Sequence, residues 1–180
     1  MVAGLVLASV IGVAGQPVSL RHVRATEARI LAIVEDGVAR SATFRRLVET
    51  LEASDVIVYL QPKFRWEALA GYLAHRVTAA GTLRYLKIAL DINGPRDRVV
   101  ALMAHELQHA VEVAEAPEVR DSQSMVRLFE RSSLDGVCGG NCYETRAAID
   151  VQETVMAELM ATKVMLIGTP RGDWSPTSGQ

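Results

Sequence analysis

The sequence predicts an α+β domain, a short sheet packed by helices. Three observations carry that reading. Asp55 opens DVIVYL, a compact β-branched run; two further strand-like runs, about 72–78 and 83–90, flank a turn at Ala79-Ala80-Gly81; and the stretches on either side carry apolar residues at helical spacing. The chain has 180 residues, 49% hydrophobic and 22% charged, which suits one domain with its own core. A formal net charge of −2 offers no basic footprint, so no nucleic-acid partner is expected.

The elements follow in order. Val2 to Ala14 is an apolar run that ends in small residues before Gln16-Pro17. It is too short to span a bilayer comfortably, so no stable membrane span is predicted. Residues 1–15 read as a signal peptide cleaved at Val13-Ala14-Gly15, although no Lys or Arg precedes the run. The protein is then exported, periplasmic or extracellular. If the segment is instead retained as a buried strand or helix, the protein is cytoplasmic. Residues 20–168 form the single domain and 169–180 a loose tail.

Residues 25–53 pattern as helix, with a break near Gly37 and Phe44, Leu47, Val48 and Leu51 on one face. The strand from about 55 to 60 ends at Pro62, and the runs at 72–78 and 83–90 make a β-hairpin. Asn93-Gly94-Pro95 is a stop. Asp97 can cap the next helix, 97–115, which Ala116-Pro117 closes. A further helix is expected over 118–132 and a long one over 143–167. Between them lies Cys138-Gly-Gly-Asn-Cys142. In an exported chain this is a short disulfide loop; otherwise it holds two thiols in a glycine turn. The spacing is not a zinc-ribbon knuckle, and there is no second pair.

The helix over 97–115 carries His105-Glu106-Leu107-Gln108-His109. At ~100° per residue the two histidines lie within about 40° of each other, so both imidazoles can grip one metal ion. Glu106 points to the side, within reach of a metal-bound water. Val99, Val100, Met103, Leu107, Ala110, Val111 and Ala114 form the opposite, apolar face. Glu106 is the only charge from Val99 to Ala110, so the histidine side is not an ordinary solvated face. A helix lodged between a core and a cleft has this composition.

VVALMAHELQHAVEV resembles the active-site helix of the zincin metallopeptidases, and the order of elements is similar to small gluzincin-like catalytic domains. The resemblance implies a zinc cofactor, a peptide or protein substrate, His105 and His109 as metal ligands, and Glu106 as general base toward a zinc-activated water. It also implies that one strand of the hairpin pairs with an extended peptide. The alternative is a zincin-like domain that binds metal without catalysis or serves as an interaction module. The shortness of the chain favours that alternative.

A third ligand is needed. Glu115 stands where metzincins place theirs, but the glycine those proteins need at the seventh position is here Glu112. Glu112 lies on the histidine face but ~10 Å along the axis from His105, which suits a partner of the ligands rather than a ligand. Glu144 is the favoured third ligand. On the long helix it would share a face with Ala148, Val151, Val155, Leu159 and Leu166, where a lone carboxylate needs a partner. Gluzincins take this ligand from a later helix, although their acid four residues on is here Ala148. Asn141-Cys-Tyr-Glu144 also has capping-box spacing, so Glu144 can equally be a cap. Glu158 is the reserve, ~21 Å further along. For the oxyanion, Tyr143, Arg146 and His75 are open candidates.

Overall fold

The computed structural model describes residues 20–63, 69–134 and 143–167, and every structural statement below concerns these. The segment 1–15, the cysteine loop and the tail lie outside them, as does the proposed disulfide. Among them no helix is long and apolar enough to cross a membrane. The architecture is α+β, as the alternation of strand and helix patterns predicts. In chain order come β1 (Val23–Ala25), α1 (Ala28–Arg40), α2 (Ala42–Glu52), β2 (Val56–Pro62), β3 (Gly71–Leu73), β4 (Thr78–Ala80), β5 (Leu83–Leu90), α3 (Arg96–Ala114), α4 (Ser122–Ser132) and α5 (Arg146–Ile167).

The sheet is mixed. Its order is β1-β2-β5-β3, with β4 also paired to β5. β1, β2 and β5 are parallel, in register Val23↔Val58 and Val58↔Leu86, whereas β3 and β4 run antiparallel to β5. Parallel pairing in the middle accounts for the nearly continuous apolar run of β2. Val56, Val58, Leu60, Leu86, Ile88 and Leu90 join one core with α1, α2 and α3. α5 packs mainly on α3 and on α2. α3 therefore lies between the sheet and α5, which explains its two apolar sides.

The expected hairpin is only half right. Its first arm is two short strands, β3 and β4, separated at Ala74–Val77, and the turn is one step later than expected, at Gly81-Thr82. Gly81 adopts φ +59, a left-handed backbone that glycine takes without a Cβ penalty. β1 was not foreseen; it lies just before the expected helical span 25–53 and overlaps it only at Ala25. It is held by β2 and by Glu52, whose carboxylate accepts from the backbone N–H of Arg21, His22 and Val23.

The break between the first two helices falls at Ser41, not Gly37. Ser41 Oγ accepts from Phe44 N at 2.9 Å and so caps α2. Gly37 stays helical because Phe44 needs the space: a Cβ there would meet its ring at 2.8 Å. The expected cap at Asp97 is also corrected. Pro95 occupies the N-cap of α3 without a side-chain bond, and Asp97 instead accepts from Arg40 at 2.8 Å. Arg40 also reaches Asp36 and the Leu159 carbonyl, linking α1, α3 and α5. α4 starts at Ser122 rather than 118, where Asp121 and Ser124 form a capping box.

Arg84, in β5, is fully buried. Its guanidinium donates two bonds to Asp55, at 2.8 and 2.6 Å. It also donates to the carbonyls of Val113, Ala114, Ala116 and Val119, where α3 ends; Val113 and Ala116 accept backbone bonds as well. Arg84 thereby fixes the end of the motif helix.

Candidate metal centre

The site is built on the middle of α3. Because sheet and α5 cover that helix, His105, Glu106 and His109 are only 6%, 5% and 5% exposed. That is core burial for groups that prefer water, and it comes with few hydrogen bonds. His105 Nδ1 is buried without a hydrogen-bond partner of good geometry, with the Ala148 backbone acting on the ring only weakly. Buried polar groups in folded proteins are normally satisfied, so such a group points to a function for the ring.

Glu144 meets the histidines from the other side. Its Oε2 lies 3.1 Å from His105 Nε2. One donor atom from each of His105, His109 and Glu144 lies within 4.8 Å of the others. Donors bonded to one tetrahedral zinc stand roughly 3.4 Å apart, so small side-chain rotations close the set. Two imidazoles and a carboxylate can hold a metal ion.

Glu144 is not on the long helix, as the sequence suggested. α5 begins at Arg146, and Glu144 stands in the segment before it, where its carbonyl accepts from Leu134 N at 2.8 Å. The expected capping box at Asn141 is therefore not the one that starts this helix. Thr145 caps it: its Oγ1 accepts from Ala148 N at 3.2 Å. The same hydroxyl donates to Glu112 Oε1 at 2.6 Å, and Glu112 Oε2 lies 3.0 Å from His109 Nδ1. Glu112 thus stands beside a histidine, as its axial offset predicted. Thr145 went unrecognised, although a threonine directly before the apolar rhythm of Ala147, Ala148 and Val151 is a cap signal.

The other acids are elsewhere. Glu158 accepts from Ser41 Oγ, Thr43 N and Thr43 Oγ1, and so anchors the start of α2. Glu115 is the exposed C-cap of α3. Of the oxyanion candidates, His75 and Tyr143 line the cleft beside the histidines, and Arg146 is exposed and is not among its lining side chains.

That cleft encloses about 330 Å³. One wall is aromatic: the His75 and Tyr143 rings lie 5.0 Å apart, and Phe129 meets the His109 ring edge-on at 5.4 Å. β3, an end strand of the sheet, also lines the cleft. Its Leu73 backbone amide acts on the Glu106 carboxylate. At Gly71 a Cβ would stand 2.9 Å from Leu90 Cδ2 and 3.3 Å from Glu106 Oε1, so only glycine lets this strand come so near the carboxyl. A second cleft of about 380 Å³ shares His105, Glu106 and Glu144 and continues past Ile149 and Gln152.

The burial has electrostatic consequences. Desolvation, with His109 nearby, pulls the His105 imidazole down to about 4. Desolvation pushes the Glu106 carboxyl up to about 7, against the opposing pull of His109. Burial alone would lower His109, but the Glu112 bond and the charges of Glu112, Glu106 and Glu144 outweigh it, and the ring is raised. Glu144 is raised by desolvation. The 3.1 Å approach of His105 and Glu144 is therefore not charge pairing, since burial drives both partners toward neutrality. A divalent cation favours the neutral imidazole and ionised carboxylate that ligate it. Comparison with protein-family models, with curated proteins and with solved structures finds no match for this chain.

Proposed function

We propose that this chain is a zinc-dependent metallopeptidase that hydrolyses peptide bonds, with His105, His109 and Glu144 as ligands and Glu106 as general base. The observation that carries the reading is the convergence of those three donor groups beside a buried glutamate in an open cleft. Two histidines and a glutamate are a donor set of catalytic zinc, and the resemblance of the α3 motif to zincin helices points the same way. When bound, zinc supplies the Lewis acidity that makes water a nucleophile near neutral pH. Glu106 would accept a proton from the attacking water and pass it to the leaving amine. Burial beside the histidines and the cleft places the Glu106 carboxyl where it can exchange a proton with a bound water. His75 and Tyr143, which line the cleft, are the side chains available to the oxyanion. β3, as an end strand beside Glu106, supports pairing with an extended peptide.

Metal analysis and a cleavage assay test this reading. The purified protein should hold about one zinc per chain and lose it in His105→Ala or His109→Ala. Unfolded casein should be cut by wild type and spared by Glu106→Gln, which should retain zinc. Zinc retained with no cleavage in wild type would leave a non-catalytic metal-binding domain. Stoichiometric zinc in the double histidine variant would remove the site altogether.

A further inference from the structure

The reading of the metal centre leaves one buried hydroxyl unexplained. Thr145 is 4% exposed, follows Glu144 directly, and bonds in two directions. It accepts from Ala148 N, closing the first turn of α5, and donates to Glu112, whose other oxygen meets His109 Nδ1. A hydrogen-bonded line therefore runs from the start of α5 through Thr145 and Glu112 to a ring on α3. An Nδ1–H that donates to Glu112 leaves His109 Nε2 as the lone-pair nitrogen, and holds the ring in one orientation.

We infer that Thr145 is a positioning residue for the metal centre, acting through Glu112 on His109; the inference rests on the metal reading above. The segment before α5 thus works on the ion twice. Glu144 approaches it as a ligand, and Thr145 sets the angle of a ligand on another helix. Glu112 alone does not suffice, because a free carboxylate at the end of two flexible bonds can turn away from the ring. Thr145 fixes one of its oxygens at 2.6 Å, and so aims the other.

The decisive measurement is Zn²⁺ affinity of the full chain by chelator competition, with thermal melting of the metal-free protein alongside. Thr145→Ser keeps the hydroxyl and should bind as wild type. Thr145→Val keeps the shape and loses both bonds, and affinity should fall about 10- to 100-fold, the range for outer partners of metal-bound histidines. Thr145→Asp separates the two jobs. Aspartate keeps a cap acceptor for Ala148 N, yet it cannot donate to Glu112 and repels it. Its affinity should stay low. Wild-type affinity in Thr145→Val or Thr145→Asp overturns the inference, as does an affinity that merely follows the melting temperature. If Thr145→Val does not fold, the aspartate variant decides alone. Wild type that binds no Zn²⁺ overturns the metal reading itself. Tight wild-type binding that survives Thr145→Asp overturns only the role of Thr145.

Discussion

α3 carries two buried polar clusters, one at its last turn and one at its middle. Arg84 at the last turn is fully buried, and its guanidinium meets one carboxylate and four carbonyls. His105, Glu106 and His109 at the middle are nearly as deep, but His105 Nδ1 has no good partner and Glu106 is held near neutrality by desolvation. Depth is the same; satisfaction differs. A buried charge surrounded by its own partners belongs to the architecture. Buried groups that converge without satisfying one another are arranged for something else, and the two clusters should respond oppositely to mutation.

The largest effect is expected at the satisfied cluster. Arg84→Met takes the donor from Asp55, whose carboxylate is part-exposed, and from the Ala114 and Val119 carbonyls, and each buried acceptor left unsatisfied costs about 1–3 kcal/mol. Urea unfolding of the metal-free protein should show that loss. Arg84→Lys should recover little, because a lysine lacks the planar fork that spans Asp55. A stable Arg84→Met protein would break the comparison.

At the middle of α3, substitution should spare the fold and affect the ion. Measured in one buffer, Glu144→Gln should lower zinc affinity at least a hundredfold, about 3 kcal/mol. Glu112→Gln should have a smaller effect. Glu158→Gln should leave zinc alone and cost about 1–2 kcal/mol of stability, since it weakens the anchor on Ser41 and Thr43. If Glu112→Gln abolishes tight binding instead, the third ligand comes from α3.

Glu106 gives the opposite sign to Arg84. Its folded carboxyl sits at about 7 against an ordinary 4.5, so between those values the native state holds a proton that the unfolded chain has released. The Glu106 contribution to metal-free stability should fall as pH rises through that window, while His105, held down at about 4, contributes an opposing rise between there and its ordinary 6.5. At about 1.4 kcal/mol per tenfold change in proton affinity, the fall is roughly 3 kcal/mol. Glu106→Gln removes the falling part and leaves the rise set by His105, so its stability relative to wild type should grow between pH 5 and 7. A stability difference between wild type and Glu106→Gln that stays level from pH 5 to 7 would contradict the burial argument.

The smallest effect lies on the acid side. Arg84 holds Asp55 below the usual carboxylate range. That contribution is complete above the unfolded value of about 3.9 and is lost as pH falls through the folded one. Asp55→Asn should remove this acid dependence and leave the slope set by Glu106 untouched.

The same contrast separates what the sequence disclosed from what it concealed. The site was legible because its logic is local. Two histidines one turn apart and a glutamate beside them declare a face, and Glu144 stood out as an acid heading an apolar stripe. β2 was legible as a β-branched run and β5 as a strand-like one for a similar reason. Arg84 was not, because an arginine in an alternating strand gives no sign of burial until α3 brings its carbonyls to it. β1 is three residues long and exists through β2 and Glu52, far away in the chain. The break at Ser41 depends on Glu158, again a distant partner. Thr145 looked like any hydroxyl until Glu112 lay beside it.

Glu144 reaches the histidines from a segment that the chain must return to after passing through α4. An ion gripped there would act as a staple between distant stretches of polypeptide, closing a loop in the folded state that the unfolded chain lacks. At a free metal concentration 100 times the dissociation constant, it would add about 2.7 kcal/mol against opening. If the protein is a peptidase, that clamp governs its own lifetime. A molecule that sheds its ion loses activity and the tether on α5 together, and becomes food for the loaded copies around it. Incubating mixed loaded and stripped protein should show the stripped fraction disappearing first.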